Sequence, residues 1–284
     1  MPPPSPPFPG YVPAWRVGLA ASIALGWRAT TRAPAYRVLG ALMAALGLAG
    51  PFLVSAFLFF VEEHTRAEFL AANVALWSVV FAFLLLPRRA VELGRRTLPT
   101  FNALVPAPPE AVLVGRYLGI LGAYLAVVLV QLVPAAVLEQ WAFAGRPGLL
   151  LTLSLTQIAL GAVLVSAILC LAQAARPLFA TLCGSLWFLL GTQKGAWIEA
   201  VDVESVRLLL SAALAWLPDF TLFSPDPFSD SSNAPGVLGT GARIVYGLFF
   251  VVLNLLLAAA LVRRQRPGPG PGPGKLARAI RRLR

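Results

Sequence analysis

A chain of 284 residues that is 58% hydrophobic and only 12% charged, with a mean hydropathy of +0.77, has about half the ~25% charge that covers a soluble domain. That excludes a soluble enzyme of ordinary composition, an intrinsically disordered chain and, with two cysteines, a secreted disulfide scaffold. What remains is an all-α polytopic membrane protein, whose net charge of +11 is sorted along the chain and calls for no nucleic acid.

Residues 1–13 hold seven prolines and predict a cytoplasmic lead without helix. From 14 to 32, Trp15, Leu19, Ile23 and Trp27 recur every four residues, with Arg16 and Arg28 elsewhere on the wheel. This reads as an amphipathic helix lying in the membrane surface, or else as the start of the first span. Six uncharged runs then have the ~17–25 residues needed to cross hydrocarbon: 38–61, 69–86, 117–138, 149–172, 177–193 and 244–262. The first is too long and too late for the h-region of a signal peptide, ~7–15 residues. A further apolar run at 208–218 is too short to span and predicts a re-entrant or interfacial helix before the last span.

Alternating the spans from a cytoplasmic N-terminus places 18 of the 23 cations inside. They are Arg16, Arg28, Arg32 and Arg37, then Arg88, Arg89, Arg95, Arg96 and Arg116, then Arg176 and the tail from Arg263. Only Glu92 and Glu110 of the twelve acids lie there. The cation bias satisfies the positive-inside rule, so both termini are expected in the cytoplasm. The organisation is then a lead with an interface helix (1–37), a six-span domain (38–262) and a basic tail (263–284). The tail has Pro-Gly repeats at 267–274, an extended or flexible spacer, and closes with a basic segment suited to anionic lipid.

The cytoplasmic loop 87–116 begins with Arg88-Arg89 and Arg95-Arg96 and runs through prolines to Glu110. It reads as a handle for a cytoplasmic partner or as a stop-transfer cluster followed by a connector. The largest outer loop, 194–241, carries Glu199, Asp202, Glu204, Asp219, Asp226 and Asp230.

Most catalytic chemistry finds no residues here. His64 is the only histidine, too few for a multi-histidine metal or redox site, and Cys170 and Cys183 read as packing residues. No metal or other cofactor is expected in this chain. Gly274-Lys275 is followed by Leu276, and Pro269 stands where the first glycine of a phosphate loop belongs. Nor does any expected span carry an ionisable group at its centre, which argues against a proton-coupled carrier. Thr152 and Thr156, flanked by Gln157, share one helical face, and Asn73 roughly shares another with Ser78. These are candidates for a polar path, or interhelical hydrogen-bonding residues.

Several stretches together resemble the membrane subunit of an ABC-2 type exporter. The segment 15–37 resembles that family's surface helix. The stretch 104–119, with Pro106, Gly115, Arg116, Tyr117 and Gly119, resembles its approach to the third span, Arg116 replacing the commoner lysine. Phe179 to Gly191 resembles its short, Gly-ended fifth span, and Leu217-Pro218-Asp219-Phe220 its element before the last span. The resemblance implies a permease subunit in a bacterial cytoplasmic (inner) membrane, not itself an enzyme. It would dock a separate ATPase, which binds ATP and Mg, through Arg88, Arg89, Arg95, Arg96 and Glu110. A second six-span subunit, identical or not, would complete the path. Two other readings compete. One is a non-transporting scaffold or assembly factor using the same basic loop. The other is a lipid-acting intramembrane enzyme using Glu199, Asp202 and Glu204.

Overall fold

The computed structural model describes residues 14–57, 63–91, 108–142, 147–215, 217–223 and 239–264. Its elements in chain order are α1 (Ala14–Thr31), α2 (Pro34–Phe57), α3 (Glu63–Val80), a π turn (Phe81–Leu85), α4 (Leu86–Val91), α5 (Pro109–Ala142), α6 (Pro147–Ala174), α7 (Pro177–Glu199), α8 (Glu204–Ala213), a 3₁₀ turn (Phe220–Phe223) and α9 (Thr240–Arg264). No strand occurs among the described residues. Prolines open α2, α5, α6 and α7, because the first turn has no use for the missing N–H and the fixed φ suits a helix start. Before Pro177, Arg176 is extended at φ −72°, ψ 158°, as the proline ring requires of its predecessor.

Among the described residues four helices are long and apolar enough to cross a membrane: Leu70–Val91, Glu110–Val133, Ser154–Ala174 and Gly241–Arg264. The described part of α2 contributes a shorter apolar helix, Pro34–Ala49. In α7 the apolar run is diluted by Thr181, Ser185, Thr192, Gln193 and Lys194.

Several boundaries depart from the sequence expectation. The second apolar run does not end at Pro87. Having no N–H, Pro87 cannot close an ordinary turn. The ladder widens just before it, with the Leu86 N–H bonded five residues back to the Phe81 carbonyl. The helix therefore continues to Val91 and carries Arg88 and Arg89 in its last turn. Likewise α5 begins at Pro109, so Arg116 lies inside a helix, fully buried, and not at a loop edge. Gly191 does not end α7, which runs on to Glu199. Residues 92–107 lie outside the described residues, Arg95, Arg96 and Pro106 among them, as do the lead 1–13 and the tail from 265.

Two helices form the centre. α5 packs against α1, α2 and α6, while α6 also takes α3, α4, α7 and α9. An aromatic chain joins α2, α3 and α5: Tyr36 to Trp77 at 6.1 Å, Trp77 to Phe81 at 5.4 Å and Phe81 to Tyr124 at 5.6 Å between ring centroids. Such tilted contacts add to the burial of the rings themselves. α8 takes no part in the core: none of its residues is buried. Its apolar positions Val206, Leu209, Leu210 and Ala213 fall on one face, opposite Glu204 and Arg207.

Candidate functional site

At one end of the bundle the termini of α5 and α9 meet. Arg263 in the last turn of α9 donates from Nε to Glu110 Oε1 in the first turn of α5, at 2.5 Å. Both residues sit where helix polarity favours their charge, an acid at an N-terminus and a base at a C-terminus. Arg88 is exposed and Arg89 half-buried in the last turn of α4. Of the five residues expected to dock a partner, the structure thus places Arg88, Arg89 and Glu110, all at helix termini.

The glycines of the 104–119 stretch have a structural task. On α1 the buried positions are Gly18, Ser22, Gly26 and Thr30, four apart, while Trp15 and Trp27 stay exposed and Leu19 and Ile23 half-buried. This stripe of small residues lies against Gly115 and Gly119 of α5. A Cβ on Gly119 would stand 2.2 Å from the Ile23 carbonyl oxygen and 2.8 Å from the Trp27 nitrogen. One on Gly115 would stand 2.8 Å from the Leu19 carbonyl. Backbone touches backbone, the close approach that small residues permit between membrane helices. Arg116 is enclosed by the same seam, its backbone against Gly26. Tyr117 is buried beside it and donates a long hydrogen bond of 3.5 Å to the Ala162 carbonyl. The tryptophan and leucine stripe visible in the sequence is therefore not the face that seats α1. The alternation of small residues one position ahead of it carries that signal.

Among the path candidates, Asn73, Thr156 and Gln157 are buried, and the side chain of Thr152 lies outside the described residues. They do not form one patch. Asn73 donates to Gln131 Oε1 at 2.9 Å and to the Met43 carbonyl at 3.1 Å, tying α2, α3 and α5. Further along, Ser78 and Tyr124 share a hydrogen bond of 2.7 Å, and the Tyr124 hydroxyl also donates to the Gln157 carbonyl at 3.4 Å. The Gln157 side chain donates from Nε2 to the Phe223 carbonyl. Because α3 and α5 run antiparallel here, these are two successive polar layers, roughly 8–10 Å apart at 1.5 Å per residue. Beside the second layer, Trp77 Nε1 donates to the Tyr124 carbonyl at 3.2 Å, and Tyr36 donates to the Ala123 carbonyl at 2.7 Å. Sequence reasoning missed Tyr124 and Trp77. Gln131 Nε2 and Gln157 Oε1 have no partner among the described residues.

Pro218 and Phe220 belong to a segment clamped between α7, α6 and α9. The Phe220 ring and the Pro218 carbonyl lie against Gly191, where a Cβ would meet them at 2.4 and 2.5 Å. Lys194 donates to the Leu217 carbonyl at 3.0 Å, and the Asp219 N–H donates to the Tyr246 hydroxyl at 2.8 Å. Asp219 Oδ1 accepts from the Thr221 N–H and hydroxyl, which starts the 3₁₀ turn. The ring of Phe220 stacks edge-on against Trp187 at 5.0 Å.

Glu199, Asp202 and Glu204 are all exposed, an arrangement without the burial that tunes catalytic carboxylates. Among the described residues no three His, Cys, Asp or Glu side chains are grouped to hold a metal ion. Compared with known proteins, the chain matches no family model and no curated protein.

Proposed function

We propose that this chain is the membrane subunit of an ATP-driven exporter of the ABC-2 type, half of a translocation path whose ATPase is a separate polypeptide. In this reading the bundle spans a bacterial cytoplasmic membrane six times, α2 and α7 completing the set with the four long apolar helices, and both termini are cytoplasmic. One observation carries the proposal: the Glu110–Arg263 ion pair gathers the first turn of α5 and the last turn of α9 at one end. Both termini belong to segments that the cation bias assigns to the cytoplasm. Arg88 and Arg89 would then face the ATPase together with Glu110. A second six-span subunit would form the other wall of the path.

The packing of α1 supports the reading. A helix locked along α5 through backbone contact moves with it as a rigid pair, so a push on the cytoplasmic end of either is passed to the bundle. Gln131 Nε2 and Gln157 Oε1 leave hydrogen-bonding capacity in the interior that a cargo or water can take up. The largely uncharged spans favour an amphiphilic cargo over a small ion.

The test is purification of the tagged full chain in mild detergent, with identification of co-purifying chains and assay of ATP hydrolysis. A stoichiometric ATPase with phosphate-loop chemistry is expected. An intact, folded chain that brings down none replaces this reading with the scaffold. Reversing the charge of Arg88, Arg89, Arg95 and Arg96 together is expected to misorient the adjoining helices or to abolish ATPase stimulation. Normal topology with normal stimulation overturns both the orientation and the docking surface.

A further inference from the structure

A cavity of about 350 Å³ lies between α6, α7 and α9, within the size range of small-molecule sites. Leu186 and Leu257, which line it, are 56% and 51% exposed, so it opens sideways through the outer faces of α7 and α9. Those faces are apolar: Leu178, Leu182 and Leu189 on one helix, Val245, Phe249 and Val252 on the other, are all more than half exposed. Only 28% of the α9 span is buried, against 61–67% for the other three. With α7 and α9 both crossing the membrane, as proposed above, the medium at the mouth is hydrocarbon, and an occupant enters from the bilayer.

Inside, the acceptor capacity is concentrated in one group. Apart from the weakly polar thiols of Cys170 and Cys183 and the indole of Trp187, whose N–H can only donate, the wall contains one polar side chain, Asn254. It stands near the middle of the span Gly241–Arg264, at the depth where polar groups are most costly. Its Nδ2 donates to Ser166 Oγ at 3.0 Å, and Ser166 in turn donates to the Val163 carbonyl at 2.8 Å. This relay fixes the amide, and it is the only hydrogen bond of the Asn254 side chain among the described residues. The carbonyl oxygen is left as an acceptor in an apolar chamber. Lipid tails offer it no donor.

We infer that the cavity binds an uncharged, mainly hydrocarbon molecule bearing one hydroxyl, which donates to Asn254 Oδ1. A charged headgroup is excluded by the depth and by the lack of any counter-charge in the wall. An unsubstituted acyl chain would fill the volume but leave the acceptor unmet, at the cost of a buried unsatisfied group. The site rests on the part of the proposed reading in which α7 and α9 both cross the membrane, and not on docking of an ATPase.

The test uses the full chain in phosphatidylcholine vesicles and two photoactivatable probes, a diazirine-bearing long-chain alcohol and its methyl ether. The alcohol is expected to label cavity residues of α6, α7 and α9 about three- to tenfold more than the ether, the ratio that one hydrogen bond confers. Asn254→Leu should bring the alcohol down to the ether's level. Leu257→Trp, which obstructs the mouth and leaves the Asn254–Ser166 bond in place, should abolish cavity labelling by both, with an unchanged size-exclusion profile as the folding control. Equal labelling by the two probes overturns the assignment. So does labelling spread evenly over the outer faces of α7 and α9, or cavity labelling that persists in the Leu257→Trp variant.

Discussion

The seam between α1 and α5 and the junction of α6, α7 and α9 both use glycine at helix contacts, yet they close in different ways. At the first, Gly26, Gly115 and Gly119 bring backbone onto backbone, and a Cβ has only fixed atoms to meet. At the second, a Cβ on Gly184 would meet the Cδ1 of Ile168 at 2.3 Å, the far end of a mobile side chain, and a cavity lies close by. The same residue type thus makes a rigid weld in one place and an adjustable contact in the other. What distinguishes them is whether the opposing atom can yield.

The sharpest way to break this contrast is the same substitution at both. Gly119→Ala should cost about 3 kcal/mol, since neither the Ile23 carbonyl nor the Trp27 nitrogen can move without shifting α1. Dodecyl sulfate unfolding in mixed micelles, followed by tryptophan fluorescence, reads the loss, and a wild-type midpoint would refute the weld. Gly191→Ala comes next, at about 2 kcal/mol, because the Phe220 ring can tilt but the Pro218 carbonyl is held by its chain. Faster proteolysis at the 217–223 segment is its signature. A double-mutant cycle of Asn73→Leu and Gln131→Leu should give a coupling of about 0.6–1.7 kcal/mol, the range for hydrogen bonds between membrane helices; strict additivity would deny the contact. Smallest is Gly184→Ala, which should shift stability by less than about 0.5 kcal/mol as Ile168 changes rotamer. A loss equal to that of Gly119→Ala would erase the distinction between the two regions.

Composition and run length alone made the all-helical, membrane-spanning class legible, because burying a helix in hydrocarbon leaves no other way to satisfy the backbone. Glycines at 115 and 119 were visible as a pattern, but their partner was not: the small residues of α1 lie beneath a louder stripe of tryptophan and leucine. Helix ends were read from charge and proline, and misplaced where Pro87 was absorbed by a π turn and where Arg116 was drawn into a buried seam. Asn73 and Gln157 were recognisable as interior polar residues. That they belong to separate layers depends on the antiparallel register of α3 and α5, which no local pattern encodes. The role of Tyr124 was hidden for the same reason, since its hydroxyl meets Ser78 and the Gln157 carbonyl only after three helices have assembled.

The weld between α1 and α5 also imposes an order in time. Gly26 leaves the ribosome long before Gly119, and at ~5–20 residues per second the interval is roughly 5–20 s. Throughout it α1 has no groove to enter, and its narrow stripe of glycine, serine and threonine is without the α5 glycines that later cover it. The first helix made thus cannot be seated before the fifth. It waits until α5 has been inserted and then closes along it.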